Sequence, residues 1–260
     1  MTDEERVAVE QVAIRLAVAE AEKKKGLARY NELYWRSVED VRYFPQLSAD
    51  EFFEFIVEAG KRRSVERNWS QEFQIDNDNR VIVKALARYF TDTPSFVKMS
   101  EGFSLNKGIL LIGDTGCGKT QLMELCTRNQ KAPYTRHNCQ QIAREYAGSG
   151  QKGGETVIVE YSGNERSVNG VLSMGYEFFG RFFDDLGAES TNVKHFGNES
   201  NVMAEIISKR YDAYQHHMTH FTSNLTLEEL KTVYGKRVYD RLREMCNIIE
   251  FSASAKSRRK

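Results

Sequence analysis

The chain has 260 residues, of which 40% are hydrophobic and 28% are charged, and its formal net charge at pH 7 is zero. This length is sufficient for one sizeable core and a small accessory region. The composition is that of an ordinary globular protein, and the zero net charge excludes recognition of a polyanion by overall charge alone. Any nucleic-acid surface must therefore be local.

Two sequence features bear on where the protein acts. No run of about 18 uncharged apolar residues occurs, and the early apolar stretch is interrupted by Glu10, Gln11 and Arg15, so we expect neither a membrane span nor a secretory signal. The four cysteines lie far apart without a Cys-x-x-Cys pair. Such spacing disfavours a metal cluster or a disulfide framework and is typical of reduced thiols, so we expect a cytoplasmic protein.

Residues 1–70 predict an N-terminal helical region. Apolar residues at helical spacing indicate a long amphipathic helix over residues 3–35. A second helix should begin after Ser48, because Glu51 three residues later completes a capping-box pattern. The region either binds a partner or packs on the rest of the chain, and both interpretations are open.

In residues 71–252, short apolar runs alternate with stretches in which apolar residues recur at helical spacing. Helices are predicted after Asp76–Asp78, from Lys119, over Asn198–Tyr214 and after the capping box of Thr226 and Glu229. Residues 148–170, rich in Gly and Ser, predict mostly loop. The predicted strands are Gly108–Ile112, Tyr134–Cys139, Phe178–Phe183, Thr219–Leu225 and Asn247–Phe251. This alternation indicates an α/β fold with a parallel sheet flanked by helices, followed by a basic flexible tail over 253–260.

A phosphate-binding loop is the most specific motif of the sequence. The stretch from residue 113 to residue 120 satisfies G-x-x-x-x-G-K-[ST], with a predicted strand before it and a predicted helix after it. Glycines let backbone N–H groups converge on phosphates, Lys119 reaches the β- and γ-phosphates, and the Thr120 hydroxyl ligates Mg²⁺. The predicted ATP-binding residues are Gly113, Asp114, Thr115, Gly116, Cys117, Gly118, Lys119, Thr120 and Gln121. Cys117 is interpreted as a small residue of which only the backbone matters, with a redox switch as the alternative.

Two acids follow the third predicted strand. Asp184 is predicted to hold Mg²⁺, and Asp185 to orient or deprotonate the attacking water. Gly180 and Arg181 interrupt an otherwise apolar strand, and Asp185 is shorter than the Glu that many ATPases have there, which favours slow hydrolysis. Glu189 is the alternative acid.

Polar residues also follow the fourth predicted strand. Asn224 at its end can contact the γ-phosphate and the attacking water. Arg237 and Arg241 lie four residues apart, on one face of a predicted helix. Without further information they are either a catalytic pair or a solvated basic face.

The motifs GDTGCGKT, FDDLGAE, TSN-LTLEEL and YGKRVYDRL, in this order, resemble the DnaC/IstB group of AAA+ ATPases. The resemblance covers roughly residues 75–252 and implies an AAA+ domain without a C-terminal lid domain. It also implies that Asn224 is the sensor-1 residue and that Arg237 is an arginine finger reaching the ATP of a neighbouring subunit, supported by Arg241. A finger supplied in trans makes hydrolysis depend on self-association.

The group comprises loaders of replicative helicases and helper ATPases of transposons. The resemblance therefore implies a DnaB-type helicase and single-stranded DNA as partners. A transposition helper and a nucleotide-gated binding protein with little turnover remain the alternatives.

Three further features bear on DNA or metal binding. The basic tail either contacts DNA phosphates or is a solubilising terminus, and Tyr146 and Tyr161, near Lys152 and Arg166, can stack on single-stranded bases. The third feature comprises His216, His217 and His220, which we interpret as residues at a strand edge rather than as metal ligands.

Overall fold

A computed structural model describes residues 46–68, 72–148, 153–166, 178–252, 255, 257 and 258. The predicted helix over 3–35 lies outside these residues. The helices are α1 (Ala49–Glu66), α2 (Arg80–Phe90), α3 (Lys119–Leu125), α4 (Cys139–Ala147), α5 (Glu155–Ser162), α6 (Val202–Asp212) and α7 (Leu227–Met245). The strands are β1 (Gly108–Ile112), β2 (Tyr134–Asn138), β3 (Glu165–Arg166), β4 (Phe178–Leu186), β5 (Val193–His195), β6 (Asn198–Ser200), β7 (Thr219–Ser223) and β8 (Cys246–Glu250). None of the helices in the described ranges is long and apolar enough to cross a membrane.

The described strands form a parallel sheet with the order β2-β4-β7-β1-β8. Strand β3 pairs antiparallel with the start of β4, and β5 and β6 form a separate hairpin. All five residues of β1 are buried, as expected for a strand covered on both faces. The predicted α/β fold with a parallel sheet flanked by helices is therefore confirmed. Because β7 lies between β4 and β1 and all three strands are parallel, their carboxyl ends lie at one edge of the sheet.

Helix α1 begins with the predicted capping box, in which Ser48 and Glu51 satisfy each other's backbone N–H groups. Phe52 packs on Phe90 of α2, with ring centroids 6.4 Å apart. Ahead of the helix, the Leu47 N–H donates to Gln130 Oε1 at 2.7 Å. These contacts join α1 to the sheet-bearing part of the chain, whereas the division of the chain at residue 70 stays a prediction.

Two predictions of local structure were wrong. The prediction of mostly loop over residues 148–170 fails for the described residues 153–166, where α5 buries Val157, Ile158 and Tyr161 against the sheet. The Gly- and Ser-rich surroundings concealed the helical spacing of these apolar residues. The helix predicted from Asn198 begins at Val202 instead, since residues 198–200 pair with β5 as β6 and Asn201 caps the helix.

Two buried arginines explain why β4 departs from an apolar run. Arg181 Nε and Arg210 Nη1 both donate to the Gly163 carbonyl, at 2.7 and 2.9 Å. This carbonyl directly follows the C-terminus of α5, where the helix dipole favours positive charge. Gly180 precedes Arg181 at a point of close approach, where a Cβ would lie 2.8 Å from the Met218 carbonyl oxygen. Of the two residues that interrupt β4, Arg181 therefore anchors the end of α5, and Gly180 accommodates the Met218 carbonyl.

The interpretation of His220 as a strand-edge residue was wrong. His220 lies fully buried in β7, between β4 and β1. Its Nδ1 accepts the Ile109 N–H at 3.1 Å, and the rings of Tyr89, Phe90 and Tyr134 surround it. Burial, reinforced by the Arg210 charge, lowers the pKa of His220 to about 3. The imidazole is therefore neutral in the folded protein at neutral pH.

A buried neutral histidine makes stability depend on pH. Its pKa is about 6.5 in an unfolded chain, so its stabilising contribution is complete above that pH and is lost as the pH falls toward 3. We expect His220→Asn, which keeps an acceptor for the Ile109 N–H, to reduce the acid slope of the unfolding free energy by up to about 1.4 kcal/mol per pH unit. Denaturant unfolding at several pH values between 7 and 4 measures this slope. An unchanged slope would contradict the assignment.

Candidate functional site

The phosphate-binding loop joins the buried strand β1 to α3. Gly116 and Gly118 have φ of 91° and 107°, a conformation that favours glycine. The N–H groups of Gly116, Gly118, Lys119 and Thr120 donate to no acceptor in the described part of the chain. Convergent unpaired N–H groups beside a lysine are what bound phosphates require. The loop therefore fits the triphosphate of a nucleotide.

Lys119 is buried and holds the loop from inside. Its Nζ donates to the carbonyl oxygens of Gly113 at 2.6 Å and Asp114 at 3.0 Å, and to Asn224 Oδ1 at 2.8 Å. The Cys117 thiol lies 3.7 Å from this ammonium and is buried, so it is screened from solvent. Lys119 thus links the loop to the end of β7.

The remaining predicted loop residues differ in exposure. Asp114 and Thr115 are exposed, and the Gly113 N–H donates to the Ser223 carbonyl at 3.3 Å. Gln121 is half-buried, and its Nε2 is buried without a hydrogen-bond partner among the described residues.

Asp184 is the most buried acid of the site, with no exposed side-chain area. Its Oδ1 accepts from the hydroxyls of Thr120 at 2.7 Å and Thr222 at 2.6 Å. Its Oδ2 accepts from Arg136 Nε at 3.0 Å and Nη2 at 2.6 Å. The structure thus brings the two residues predicted to ligate Mg²⁺ into direct contact. A carboxylate beside a hydroxyl offers the hard oxygen ligands that Mg²⁺ prefers.

Arg136 and Thr222 are site residues that the sequence analysis missed. Arg136 lies on β2, the neighbour of β4, and its other terminal nitrogen pairs with Glu124 of α3. Nothing in the sequence marked Arg136 as a site residue, because the pairing of β2 with β4 appears only in the folded sheet. Thr222 belongs to the TSN motif at the end of the fourth predicted strand, but only Asn224 of that motif was assigned a role.

Asp185 adopts φ of 59°, which is uncommon for a residue other than glycine. Its N–H donates to the Thr222 hydroxyl at 3.0 Å, and its Oδ1 lies 3.4 Å from Asn224 Nδ2. Asn224 therefore bridges Lys119 and Asp185. This polar chain joins the phosphate-binding lysine to the acid predicted to orient water.

Glu189, the alternative acid, is used inside the protein. One carboxylate oxygen accepts the Gly187 N–H at 2.9 Å, and the other accepts the hydroxyl of Tyr234. Burial raises the pKa of Glu189. Because both oxygens are engaged, Glu189 is the weaker candidate for activating water.

Arg237 and Arg241, the arginines of α7 to which the sequence analysis assigned roles, have different surroundings. Gly235, with φ of 81° and ψ of 167°, kinks the helix just before them. Arg241 donates to Asp212 at 2.9 Å and stacks over the Tyr211 ring at 5.0 Å. Arg237 is exposed and forms no hydrogen bond or ion pair with any residue that the structure describes. Of these two arginines, Arg237 is the one whose side chain is available to a neighbouring molecule.

The proposed stacking residues Tyr146 and Tyr161 do not fit a DNA surface. Both rings are buried in the core beside the sheet, with 6% and 8% exposure, because α4 and α5 pack their apolar faces there. The stacking prediction for these two residues was therefore wrong. Lys152 lies outside the described residues.

No protein family and no curated protein matches the chain. Similar solved structures include DnaA from Aquifex aeolicus bound to AMPPCP, at 15% identity and a TM-score of 0.46, over 72% of this chain and 50% of that one. A DnaC helicase loader is 15% identical with a TM-score of 0.43, over 72% of this chain and 99% of that one. A candidate primosome component from Streptococcus pyogenes serotype M3 is 19% identical with a TM-score of 0.45, over 78% of this chain and 97% of that one. The chain thus spans half the length of the DnaA structure. The fold assignment itself rests on the strand order and the loop.

Arg136 supplies the only cationic partner of Asp184 in the described part of the chain. We expect Arg136→Gln to lower the unfolding free energy by about 1–3 kcal/mol, less than for a fully buried pair because the Arg136 side chain is 39% exposed. Denaturant unfolding measures the change, and exposed Arg144→Gln serves as the matched control. In an Asp184→Asn background the effect should shrink; an equal loss there would place the cause elsewhere.

Proposed function

We propose that the chain is an AAA+ protein that binds ATP and hydrolyses it slowly. The observation that supports this most strongly is the contact between Thr120 and Asp184 beside the contact between Lys119 and Asn224. These residues come from three separate strand ends and form one polar site at the mouth of the loop. A lone glycine turn with a surface lysine would not produce this arrangement.

Each residue has a role that follows from its position. The loop N–H groups and Lys119 bind and orient the phosphates. Thr120 and Asp184 would hold Mg²⁺, which would supply positive charge at the phosphates when bound. Asp185, held by Asn224, orients the attacking water and accepts its proton. Its short side chain is consistent with slow turnover.

Lys119→Ala tests nucleotide binding. The variant removes the ammonium from among the loop carbonyls and the phosphates, so we expect at least about a 100-fold loss of affinity for ATP. Calorimetric titration measures it, with exposed Lys98→Ala as the control. Retained affinity in a folded variant would refute the assignment of the loop.

The proposal extends to an assembled site. Arg237 is exposed at the start of the helical segment after Gly235, and an unpaired guanidinium can reach the phosphates of a neighbouring copy. Arg241 supports the position of Arg237, because its ion pair with Asp212 fixes this helical segment on α6. Hydrolysis then requires self-association, because the finger acts in trans.

We expect Arg237→Ala to leave ATP affinity intact and to reduce hydrolysis about 1,000-fold or more in the presence of single-stranded DNA. Lys236→Ala, which removes the adjacent exposed base, is the control. Mixing Arg237→Ala with Asp185→Asn should restore part of the activity, since some interfaces then combine both intact residues. Normal hydrolysis by Arg237→Ala would exclude the trans finger.

The proposed biological role is loading of a DnaB-type replicative helicase onto single-stranded DNA. It is supported by the order of the motifs that resemble the DnaC/IstB group. A transposition helper is the alternative with the same chemistry, and co-purification with a helicase or with a transposase separates the two.

A nucleotide-gated binding protein with little turnover is the second candidate. It is favoured by Asp185, whose short side chain is held by Asn224 in an uncommon backbone conformation. ATP binding without DNA-stimulated hydrolysis would identify this candidate.

A further inference from the structure

Of the residues that follow β8, Phe251, Ser257 and Arg258 lie beside the phosphate-binding loop. The Phe251 N–H donates to the Ile112 carbonyl at 2.8 Å, immediately before the loop begins. A Cβ on Gly113 would lie 2.8 Å from Phe251 Cβ, and one on Gly116 would lie 2.3 Å from Ser257 Oγ. Glycine at these two positions therefore permits the close approach of these residues.

Arg258 makes polar contacts with the loop. Its backbone N–H donates to the Gly116 carbonyl at 2.9 Å, and its Nε donates to the Cys117 carbonyl at 3.1 Å. Its Nη2 pairs with Asp76 Oδ2 at 2.8 Å. The Arg258 side chain is 26% exposed, so it lies against the protein rather than in solvent. The two interpretations considered for the tail, DNA contact or a free solubilising end, do not account for these bonds.

Asp76 is itself fixed by the turn that precedes α2. Its Oδ1 accepts the N–H groups of Asp78 at 3.0 Å and Asn79 at 3.2 Å. The hydrogen bond from Arg258 lowers the pKa of this carboxyl, which keeps it ionised at neutral pH. Arg258 therefore ties the loop to an ordered carboxylate on a different part of the chain.

The bond to the Cys117 carbonyl constrains an N–H group of the site. In a trans peptide the C=O and the following N–H point in opposite directions, so an outward Cys117 carbonyl directs the Gly118 N–H to the other side of the loop. That N–H is one of the donors without an acceptor in the described residues. Gly118, with φ of 107°, is conformationally permissive, and without an anchor its peptide can rotate more freely.

We propose that Arg258 is a positioning residue of the nucleotide site, which holds the phosphate-binding loop from outside by joining its carbonyls to Asp76. The proposal rests on the proposed nucleotide binding by this loop. Arg258 acts on the backbone donors that bind phosphates, rather than on the reacting phosphate. It therefore raises the affinity for ADP and for ATP by the same factor.

The test compares Arg258→Gln with Arg144→Gln, an exposed arginine of α4 that forms no hydrogen bond or ion pair with the described residues. Calorimetric titration of the full chain with MgATP and with MgADP gives both affinities. We expect Arg258→Gln to weaken both about threefold to tenfold, as for loss of one or two hydrogen bonds, and Arg144→Gln to change neither. Faster amide hydrogen exchange at Gly116–Gly118 should accompany the loss.

Asp76→Asn tests the same contact from the other side. The amide oxygen can still accept the N–H groups of the turn, but the ion pair with Arg258 is lost. We expect a smaller loss for both nucleotides, and the double variant should lose less than the product of the two factors. If Arg258→Gln proves unstable, this variant carries the test.

Four outcomes are decisive. A loss confined to ATP would mean that Arg258 contacts the terminal phosphate, and wild-type affinities in both Arg258→Gln and Asp76→Asn would mean that the contact has no role; either result overturns the proposal. If Lys119→Ala binds ATP normally, the proposed function fails as well. If Lys119→Ala loses affinity for ATP while Arg258→Gln keeps it, only the positioning role is refuted.

Discussion

The buried carboxylate of Asp184 is the group on which the arrangement of the site depends. An ionised carboxylate without exposed area is stable only when hydrogen bonds and an opposite charge replace its water. Thr120, Thr222 and Arg136 provide these contacts from α3, β7 and β2. Satisfying one buried acid therefore fixes the loop, the central strands and the edge of the sheet relative to one another.

The phosphate-binding loop is held through its carbonyl groups, and the N–H groups of Gly116, Gly118, Lys119 and Thr120 have no acceptor among the described residues. Lys119 binds the carbonyls of Gly113 and Asp114, and Arg258 binds those of Gly116 and Cys117. Peptide geometry then determines where the N–H groups point. The same lysine meets Asn224, which also contacts Asp185. The side chains that we propose to bind phosphate and to orient water are thus connected through Asn224.

Arginines serve distinct purposes in this chain because their surroundings differ. Arg181 and Arg210 are buried and bind carbonyls at the end of α5, so their role is to hold that helix on the sheet. Arg241 pairs with Asp212 and covers Tyr211. Arg237 lies exposed after the kink at Gly235, where φ of 81° with ψ of 167° is accessible to glycine. Burial and partners, rather than residue type, separate structural arginines from one that can act on a neighbour.

The sequence by itself determined the loop, both capping boxes, the strands that form the parallel sheet and the order of Asp184, Asn224 and Arg237 along the chain. Such features depend on local spacing and on residues with restricted backbone preferences, which a sequence displays directly. It misassigned α5, the start of α6 and the position of His220, because pairing and burial depend on distant residues. Only the tertiary structure decided that Arg136 meets Asp184, that Arg258 meets the loop, and that Tyr146 and Tyr161 are core. Strand order brings β2 beside β4 and the segment after β8 beside Gly116, and neither neighbour relation is encoded by spacing along the chain.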